Sequence, residues 1–184
     1  MAVSAYRRSF GLNAASARAG NVIGGGDWSK DRLLPDAVRA LDSRKELVIR
    51  NPDAIRPWQH VLDCLNGYLI LAQALYEKKI AEAFNFGPDD ADAKTVSWIL
   101  ERYSYYAGKP LNIIVQGEEH LHEAHYLKLD SSKARLILGW KPVWNVEKAV
   151  EMTALWNTGR INGQAWELLC LDQIELFSEE AKDS

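Results

Sequence analysis

Residues 18–28 read R-A-G-N-V-I-G-G-G-D-W, and this stretch decides the fold class. A short strand is predicted over residues 13–18; it leads into Gly20, and the three glycines at 24–26 then break regular structure. Open α/β sheets bind ligands in loops at the carboxyl ends of their strands, where Asn21 can both donate and accept hydrogen bonds. A tight turn with a structural asparagine explains the same residues, and residue types alone give the two interpretations roughly equal weight.

Helical and extended patterns alternate along the rest of the chain, which predicts an α/β protein. Short apolar runs predict strands at residues 47–49, 83–86 and 111–115. Apolar spacing and capping residues predict helices over residues 2–10, 33–41, 65–76, 95–108 and 131–139, and from Asn145 onward. The amphipathic spacing is clearest at Leu65, Leu69, Ala72 and Tyr76.

Arg56 lies between Pro52 and Pro57, which predict an irregular loop with a restricted backbone. A guanidinium on a rigid loop suits bidentate contact with a diphosphate. Trp58 could stack on a ligand or simply pack in the core. The alternative is a surface arginine with a local partner, and that interpretation is the stronger one for a single arginine taken alone.

A cluster of histidines and glutamates follows between residues 118 and 126. The spacing H-x-H-x-x-H raises the possibility of zinc, because imidazole and carboxylate are ordinary zinc ligands, but no familiar zinc signature matches. A polar loop that lines a pocket is the better interpretation, and a solvated loop is the third. The residues concerned are His120, His122 and His125 with Glu118, Glu119 and Glu123, followed by Tyr126.

Composition limits the class of protein. The chain has 184 residues, 47% of them hydrophobic, which is enough for one domain or a large piece of one. The net charge of -3 makes nucleic acid a poor partner, and no apolar run approaches the ~18 residues of a membrane span. Two distant cysteines suit a reducing compartment, so a cytoplasmic protein is expected. The acidic residues 175–184 predict a solvated tail.

Familiar catalytic and nucleotide-binding motifs are missing from this sequence. Tyr105 and Lys109 fit Y-x-x-x-K, but Gly108 and Pro110 interrupt the helix that would present them. The glycines at 24–26 are not a G-x-x-G-x-x-G dinucleotide fingerprint. We therefore predict no catalytic residue and no metal ligand in this chain.

Four segments taken together are more specific than any of them alone. They are R-A-G-N-V-I-G-G-G-D-W, N-P-D-A-I-R-P-W-Q-H-V-L, F-N-F-G-P and H-E-A-H-Y-L-K-L-D-S-S-K-A. The chain resembles the C-terminal half of the CDP-glucose 4,6-dehydratases, a branch of the extended short-chain dehydrogenase/reductases and of the NAD-dependent sugar epimerases and dehydratases. Many relatives have R-D-x-x-Y-V-x-D where this chain has R-P-W-Q-H-V from Arg56.

The resemblance implies an architecture. The last strands and helices of a Rossmann-like sheet would be joined to the smaller sugar-nucleotide-binding domain. Residues 1–160 would form this C-terminal half, and residues 161–184 a C-terminal helical tail.

The resemblance also implies roles for individual residues. Asn21 would meet the sugar diphosphate, Arg56 would clamp it, and Asn85 would add a polar contact. Ala19 and Gly20 would lie near the nicotinamide of NAD. The remaining positions are Arg32 and Leu33 beside the nucleotide, Val48 and Arg50 at the base, and Glu123 and Tyr126 along the same site; His125 stands where relatives often have arginine.

The implied reaction is an internal redox cycle in deoxysugar and surface-polysaccharide synthesis. NAD takes hydride from C4 of CDP-glucose, water leaves across C5 and C6, and the hydride returns to C6. Because the family's Y-x-x-x-K helix and glycine fingerprint are absent here, we expect no turnover by this chain alone. We expect it to bind CDP-glucose or a similar nucleotide sugar, and to pair with an N-terminal half or form a homo-oligomer.

Two other functions remain open at this point. The chain could be a non-catalytic remnant that holds a nucleotide sugar. It could also be half of a related sugar-nucleotide dehydratase or epimerase that uses another nucleotide.

Overall fold

The computed structural model describes residues 2–116 and 125–182. The helices over these residues are α1 (Ala2–Phe10), α2 (Leu33–Ser43), α3 (Val61–Lys78), α4 (Val96–Ala107), α5 (Ser132–Leu138), α6 (Val146–Ile161) and α7 (Trp166–Glu180). The strands are β1 (Ser16–Ala19), β2 (Asn21–Ile23), β3 (Leu47–Ile49), β4 (Ile55–His60), β5 (Ala83–Phe86), β6 (Ala93–Thr95) and β7 (Ile113–Val115), and a 3-10 turn spans Asp90–Asp92.

The strands form three small sheets that are mainly parallel. β1 pairs with β5, β3 pairs with β7, and β4 lies between the parallel β2 and the antiparallel β6. Parallel neighbours joined through helices are the mark of α/β construction. The predicted α/β class is therefore confirmed.

The largest core lies where α2, α4 and α6 pack around β2, β3 and β4. Its side chains are apolar at helical spacing on the helices and at alternate positions on β3. Burial of this surface is the main stabilising contribution to the fold. The fully buried members are Ala37, Ile99, Leu100, Ala149, Val150 and Ala154.

A second core joins α3 and α5 to β5. Phe86 is completely buried and meets the edge of Trp140 with ring centroids 5.1 Å apart. Gly67 on α3 permits this packing, because a Cβ there would lie 2.4 Å from the Phe86 ring. Leu71 and Ala134 complete this cluster from the two helices.

Most predicted helix ends are confirmed by their capping contacts. Thr95 accepts a hydrogen bond from the Trp98 amide, and Asn145 accepts one from the Lys148 amide. Gly108 and Gly139 end α4 and α5 in the left-handed conformation, which glycine adopts without strain.

The predicted loop between Pro52 and Pro57 is wrong at its second half. Arg56 and Pro57 lie inside β4, where Pro57 is the last residue paired with β6. The parallel pairing with β2 begins one residue later, at Trp58. A proline is tolerated at such a change of partner, which a pattern of residue types does not reveal.

Two expectations about exposure also differ from the structure. α3 exists, but the side chains that mark its amphipathic spacing face outward: Leu65, Leu69 and Tyr76 are 47%, 71% and 88% exposed. The predicted solvated tail is helical as far as Glu180, and Phe177 within it is buried against Trp144. Apolar contacts with α6 outweigh the acidic composition of this segment.

Candidate functional site

Five of the predicted site residues border one cavity of about 540 Å³. It opens between the start of α2, the first residue of β2, the end of β3, the middle of β4 and the first residue of α4. The predicted residues around it are Asn21, Leu33, Val48, Arg50 and Arg56. The structure therefore brings together residues that are up to 35 positions apart in sequence.

β2 and β4 position the polar floor of this cavity. Their parallel register places Asn21 opposite Trp58, two residues beyond Arg56. Arg56 is only 8% exposed, and its Nη1 donates to the Ile55 carbonyl oxygen at 2.9 Å. Trp58 is buried, and its Nε1 donates to the Lys94 carbonyl oxygen at 2.9 Å. Trp58 therefore packs in the core and also forms part of the cavity wall.

β3 forms the opposite wall by strict alternation. Leu47 and Ile49 point into the core, whereas Val48 is 53% exposed and Arg50 follows it on the open side. The Gln116 amide donates to the Ile49 carbonyl oxygen and extends the pairing with β7. A strand fixed on one face by burial presents its other face in a defined direction.

A smaller cavity of about 170 Å³ adjoins the first. It shares Asn21, Leu33 and Trp58 with the larger cavity and adds Arg32, the N-cap residue of α2. The free backbone N–H groups at the start of a helix favour negatively charged ligand groups. Arg32 and Leu33 thus lie at the start of α2, beside Asn21, and their contact with a nucleotide stays a prediction.

Other predicted residues do not border this cavity. Asn85 on β5 lies opposite Arg18 on β1, and the Asn85 Nδ2 donates to the Asp130 carbonyl oxygen at 3.0 Å. Tyr126 is 53% exposed and forms an isolated bridge with Ile55, next to Arg56. Glu123 lies outside the described residues.

The predicted nicotinamide contacts lie at the end of β1. Ala19 pairs with Phe86, and Gly20 follows it before β2 begins. A Cβ at Gly20 would lie 2.6 Å from the Pro57 carbonyl oxygen, so close packing against β4 already requires glycine here. The need for a small residue at this position is therefore explained without a cofactor.

The metal interpretation of residues 118–126 concerns mostly residues outside the described part. His120, His122 and the glutamates between 118 and 123 belong to that excluded stretch. His125 accepts at its backbone oxygen a hydrogen bond from the Ile55 amide. Within residues 2–116 and 125–182, no group of three or more metal-binding side chains comes together.

Two carboxylates at the larger cavity were not singled out by the sequence analysis. Asp31 borders both cavities and has a positive φ of 60°, an uncommon conformation that aspartate tolerates. Asp36 lies one helical turn after Leu33 and pairs with Arg39. The spacing of three residues from Leu33 was the available signal, because it places both side chains on one face of α2.

The loop after β2 is fixed to α6. Gly25 lies against the Trp156 ring, where an added Cβ would approach ring atoms to 2.1 Å. Arg160 stacks over Trp28 with its guanidinium carbon 4.7 Å from the ring centroid, and it pairs with Asp42 at 2.7 Å. The glycines of this loop therefore serve close packing, which supports the Asn21 end of the cavity from behind.

Buried ionisable groups lie at the far end of β4. Burial lowers the pKa of His60 to about 3, and its ring lies 4.7 Å from that of Trp144. Burial raises the pKa of Asp63 to about 7, although the Val143 and Trp144 amides favour its charged form. Asp63 Oδ1 accepts from the Val143 amide at 2.6 Å. These groups join α3 to the segment before α6 and lie outside the cavity lining.

In the described ranges, no helix combines the length and apolar character needed to cross a bilayer.

Comparison with known proteins relates this geometry to a family. Residues 1–87 match the family described as "NAD dependent epimerase/dehydratase family". The chain is 47% identical over 175 residues to the CDP-glucose 4,6-dehydratase of Salmonella typhimurium, covering 89% of this chain and 49% of the relative. It is 26% identical over 160 residues to a UDP-glucose 4-epimerase of Rhizobium meliloti, covering 83% and 48%.

Solved structures share the fold at lower identity. A UDP-glucuronic acid 4-epimerase from Bacillus cereus, in complex with UDP-glucuronic acid and NAD, matches with a TM-score of 0.74 and 18% identity over 86% of this chain and 49% of its own. A dTDP-glucose 4,6-dehydratase from Bacillus anthracis, in complex with NAD, matches with a TM-score of 0.68 and 21% identity over 92% and 51%. The chain spans about half the length of the relatives it matches.

These matches confirm the family and the Rossmann-like fold predicted from the four sequence segments. The 47% identity extends well beyond residues 1–87, into the part of the chain that completes the cavity. The chain belongs to the NAD-dependent epimerase/dehydratase family.

Proposed function

We propose that this chain is the nucleotide-sugar-binding part of a CDP-glucose 4,6-dehydratase. The whole enzyme would convert CDP-glucose to CDP-4-keto-6-deoxyglucose and water. The observation that carries the proposal is the cavity in which Arg56, Asn21 and Leu33 converge, in a chain 47% identical to such a dehydratase. Its volume of about 540 Å³ lies within the ordinary range for small-molecule sites.

The proposed roles follow the chemistry of the lining. The Arg56 guanidinium offers paired donors to the diphosphate, and Asn21 contributes an amide beside it. Leu33 and Val48 provide apolar surface for the nucleoside, with Arg50 at its margin. Arg32 stands at the start of α2, where positive side-chain charge adds to the helix dipole. Asn85, Tyr126 and Glu123 remain proposed contacts of the same ligand beyond this cavity.

The chemistry of the cycle requires a hydride acceptor, which NAD would supply. Ala19 and Gly20 would lie against it at the end of β1, but the tight packing of Gly20 on Pro57 does not itself call for a cofactor. The sequence has no Y-x-x-x-K pair on a continuous helix and no dinucleotide fingerprint. We therefore assign binding and orientation of the sugar nucleotide to this chain, and no proton transfer.

The edge of β1 indicates what completes the enzyme. Among the described strands β1 pairs only with β5, so no described strand lies along its other edge. α1 beside it exposes Tyr6 and Phe10 by 57% and 75%. We propose that a dinucleotide-binding half covers this surface and continues the sheet. Self-association of the chain is the competing outcome.

The proposed compartment is the cytoplasm. Cys64 and Cys170 are both free, and Cys64 is buried. Free cysteines suit a reducing environment, because thiols stay reduced there and disulfides are rare.

Calorimetric titration of the 184-residue chain with CDP-glucose, without NAD, tests the binding role. We expect saturable binding that is tighter than that of UDP-glucose. A folded chain that binds neither compound contradicts the proposed function. Tighter binding of UDP-glucose would favour half of a related epimerase or dehydratase.

A second experiment tests the proposed partner. The N-terminal half of the Salmonella typhimurium dehydratase is produced as a separate polypeptide and mixed with this chain, NAD and CDP-glucose. We expect a one-to-one complex in size-exclusion chromatography and formation of the 4-keto sugar. A complex without turnover would favour the alternative of a non-catalytic nucleotide-sugar-binding module, and no complex contradicts the proposed partner.

A further inference from the structure

The larger cavity combines arginines with carboxylates, which a diphosphate alone does not explain. Arg50 and Arg56 suit an anionic ligand, but Asp31 and Asp36 border the same cavity. A carboxylate near a diphosphate is unfavourable unless a cation or a hydrogen-bond donor of the ligand faces it. A ligand that carries a neutral donor group at the α2 side would therefore suit this lining better than a diphosphate alone.

Asp36 is held in one orientation by Arg39. Arg39 donates from Nη1 to the Trp28 carbonyl oxygen and from Nη2 to the Ser29 carbonyl oxygen, both at 3.0 Å. The same Nη2 donates to Asp36 Oδ1. Because a carboxylate has acceptor sites on both oxygens, this contact leaves acceptor capacity on Asp36. The ion pair also offsets the negative charge of Asp36 near a ligand phosphate.

The position of Asp36 relates it to the base of the nucleotide. It lies one turn after Leu33 on α2, and the Val48 side chain faces the same cavity from β3. Cytosine carries an exocyclic amino group that donates hydrogen bonds. Uracil has a carbonyl oxygen at the same ring position, which a carboxylate repels. An acceptor fixed at this place therefore distinguishes the two pyrimidines.

We propose that Asp36, oriented by Arg39, determines nucleotide specificity by accepting a hydrogen bond from the exocyclic amino group of a cytosine base. The assignment rests on the proposed function, because it requires a nucleotide in this cavity. The assignment gives the site a residue that selects cytidine over uridine nucleotides. The other proposed contacts of the site are with phosphate and with apolar surface.

Calorimetric titrations of the full chain with CDP and with UDP test the assignment. The variant is Asp36→Asn, because asparagine has nearly the same shape but can donate to uracil as well as accept from cytosine. Asp31→Asn is the matched control, since it removes the same charge from the same cavity. Asp36→Glu is a second variant that keeps the carboxylate, and thermal melting of each variant checks its folding.

We expect the wild-type chain to bind CDP about tenfold or more tightly than UDP. Asp36→Asn should reduce that ratio to within roughly threefold, with UDP binding improved. Asp31→Asn and Asp36→Glu should keep the preference for CDP.

Four results overturn the assignment. A preference that persists in Asp36→Asn, or that is lost in Asp31→Asn, removes the role of Asp36 and leaves the proposed function intact. Equal binding of CDP and UDP by the wild-type chain removes base discrimination at this cavity while leaving a nucleotide site. Binding of neither nucleotide overturns the proposed function, and the specificity assignment with it.

Discussion

The cavity and the β1 edge are two regions of one chain that differ in how completely they are built. The cavity walls come from α2, β3, β4 and α4, all packed on the largest core. β1 has one described partner strand, and the neighbouring α1 has no buried residue. A cavity can thus be assembled by one part of a fold while another part still presents an apolar surface.

The difference lies in what each region packs against. The cavity unites residues between Asn21 and Val96, and the strands and helices that form it pack on the largest core. The exposed face of α3 carries Leu65, Leu69 and Tyr76, which are among the large exposed apolar side chains of the described residues. Exposed apolar surfaces of this kind mark sites of protein contact.

At a fixed pH, the largest predicted effect comes from disturbing the support behind the cavity. Gly25→Ala places a Cβ against the Trp156 ring and should lower the free energy of unfolding by about 3 kcal/mol. Gly108→Ala is the control: nothing lies within 4 Å of its Cβ, and only its positive φ opposes alanine. It should destabilise by about 1 kcal/mol. Chemical denaturation measures both, and equal losses contradict the packing argument.

The next effect concerns ligand binding at the cavity floor. Arg56→Ala should weaken CDP-glucose binding by about 2 kcal/mol, because it removes a charge-assisted contact with the diphosphate. Arg102→Ala removes an exposed arginine that pairs with Glu147 outside the cavity, and it should leave the affinity unchanged. Titration calorimetry compares the two variants. Unchanged affinity in Arg56→Ala would make Arg56 a structural arginine only.

A third prediction uses pH to test the packing between α3 and the segment before α6. The folded-state pKa of Asp63 is raised from 3.8 to about 7, so its proton stabilises the folded chain at low pH. That contribution is lost as pH rises from 3.8 to 7.

Relative to wild type, Asp63→Asn should therefore gain about 3 to 4 kcal/mol of stability over this range. Taking the difference between the two proteins cancels the opposite contribution of His60, whose pKa is lowered. Denaturation at several pH values provides the measurement. A stability difference that is independent of pH would show that Asp63 titrates normally.

The smallest stability effect is predicted at the exposed face. Leu69→Gln on α3 should change the free energy of unfolding by less than about 0.5 kcal/mol and should reduce self-association of the isolated chain. Leu71→Ala, two residues away and buried, should destabilise by about 3 kcal/mol. Sedimentation analysis and denaturation test the pair. A large loss in Leu69→Gln would show that this face is already covered.

Much of the fold was predictable because local signals determine it. Thr95, Asn145 and Gly108 fix helix ends through contacts within a few residues. The exposure of α3 was not predictable, since spacing identifies an apolar face but not what covers it. The strand through Arg56 and Pro57 depends on which neighbour pairs with each residue, which sequence patterns do not encode.

The candidate site was predictable to a similar extent. The family resemblance selected Asn21, Leu33, Val48, Arg50 and Arg56, which converge on one cavity. Their roles as ligand contacts remain proposals. Asp36 was missed because an aspartate in the first turn of a helix is ordinary, and only the cavity shows what it faces.

Hydrogen exchange of backbone amides, with and without CDP-glucose, tests most directly whether the cavity binds ligand independently of the β1 edge. We predict slower exchange in β2, β3 and the first half of β4 when ligand is present, with α1 and β1 unchanged. Exchange that is unaffected everywhere, or slowed mainly in α1 and β1, would contradict a ligand site that this chain forms by itself.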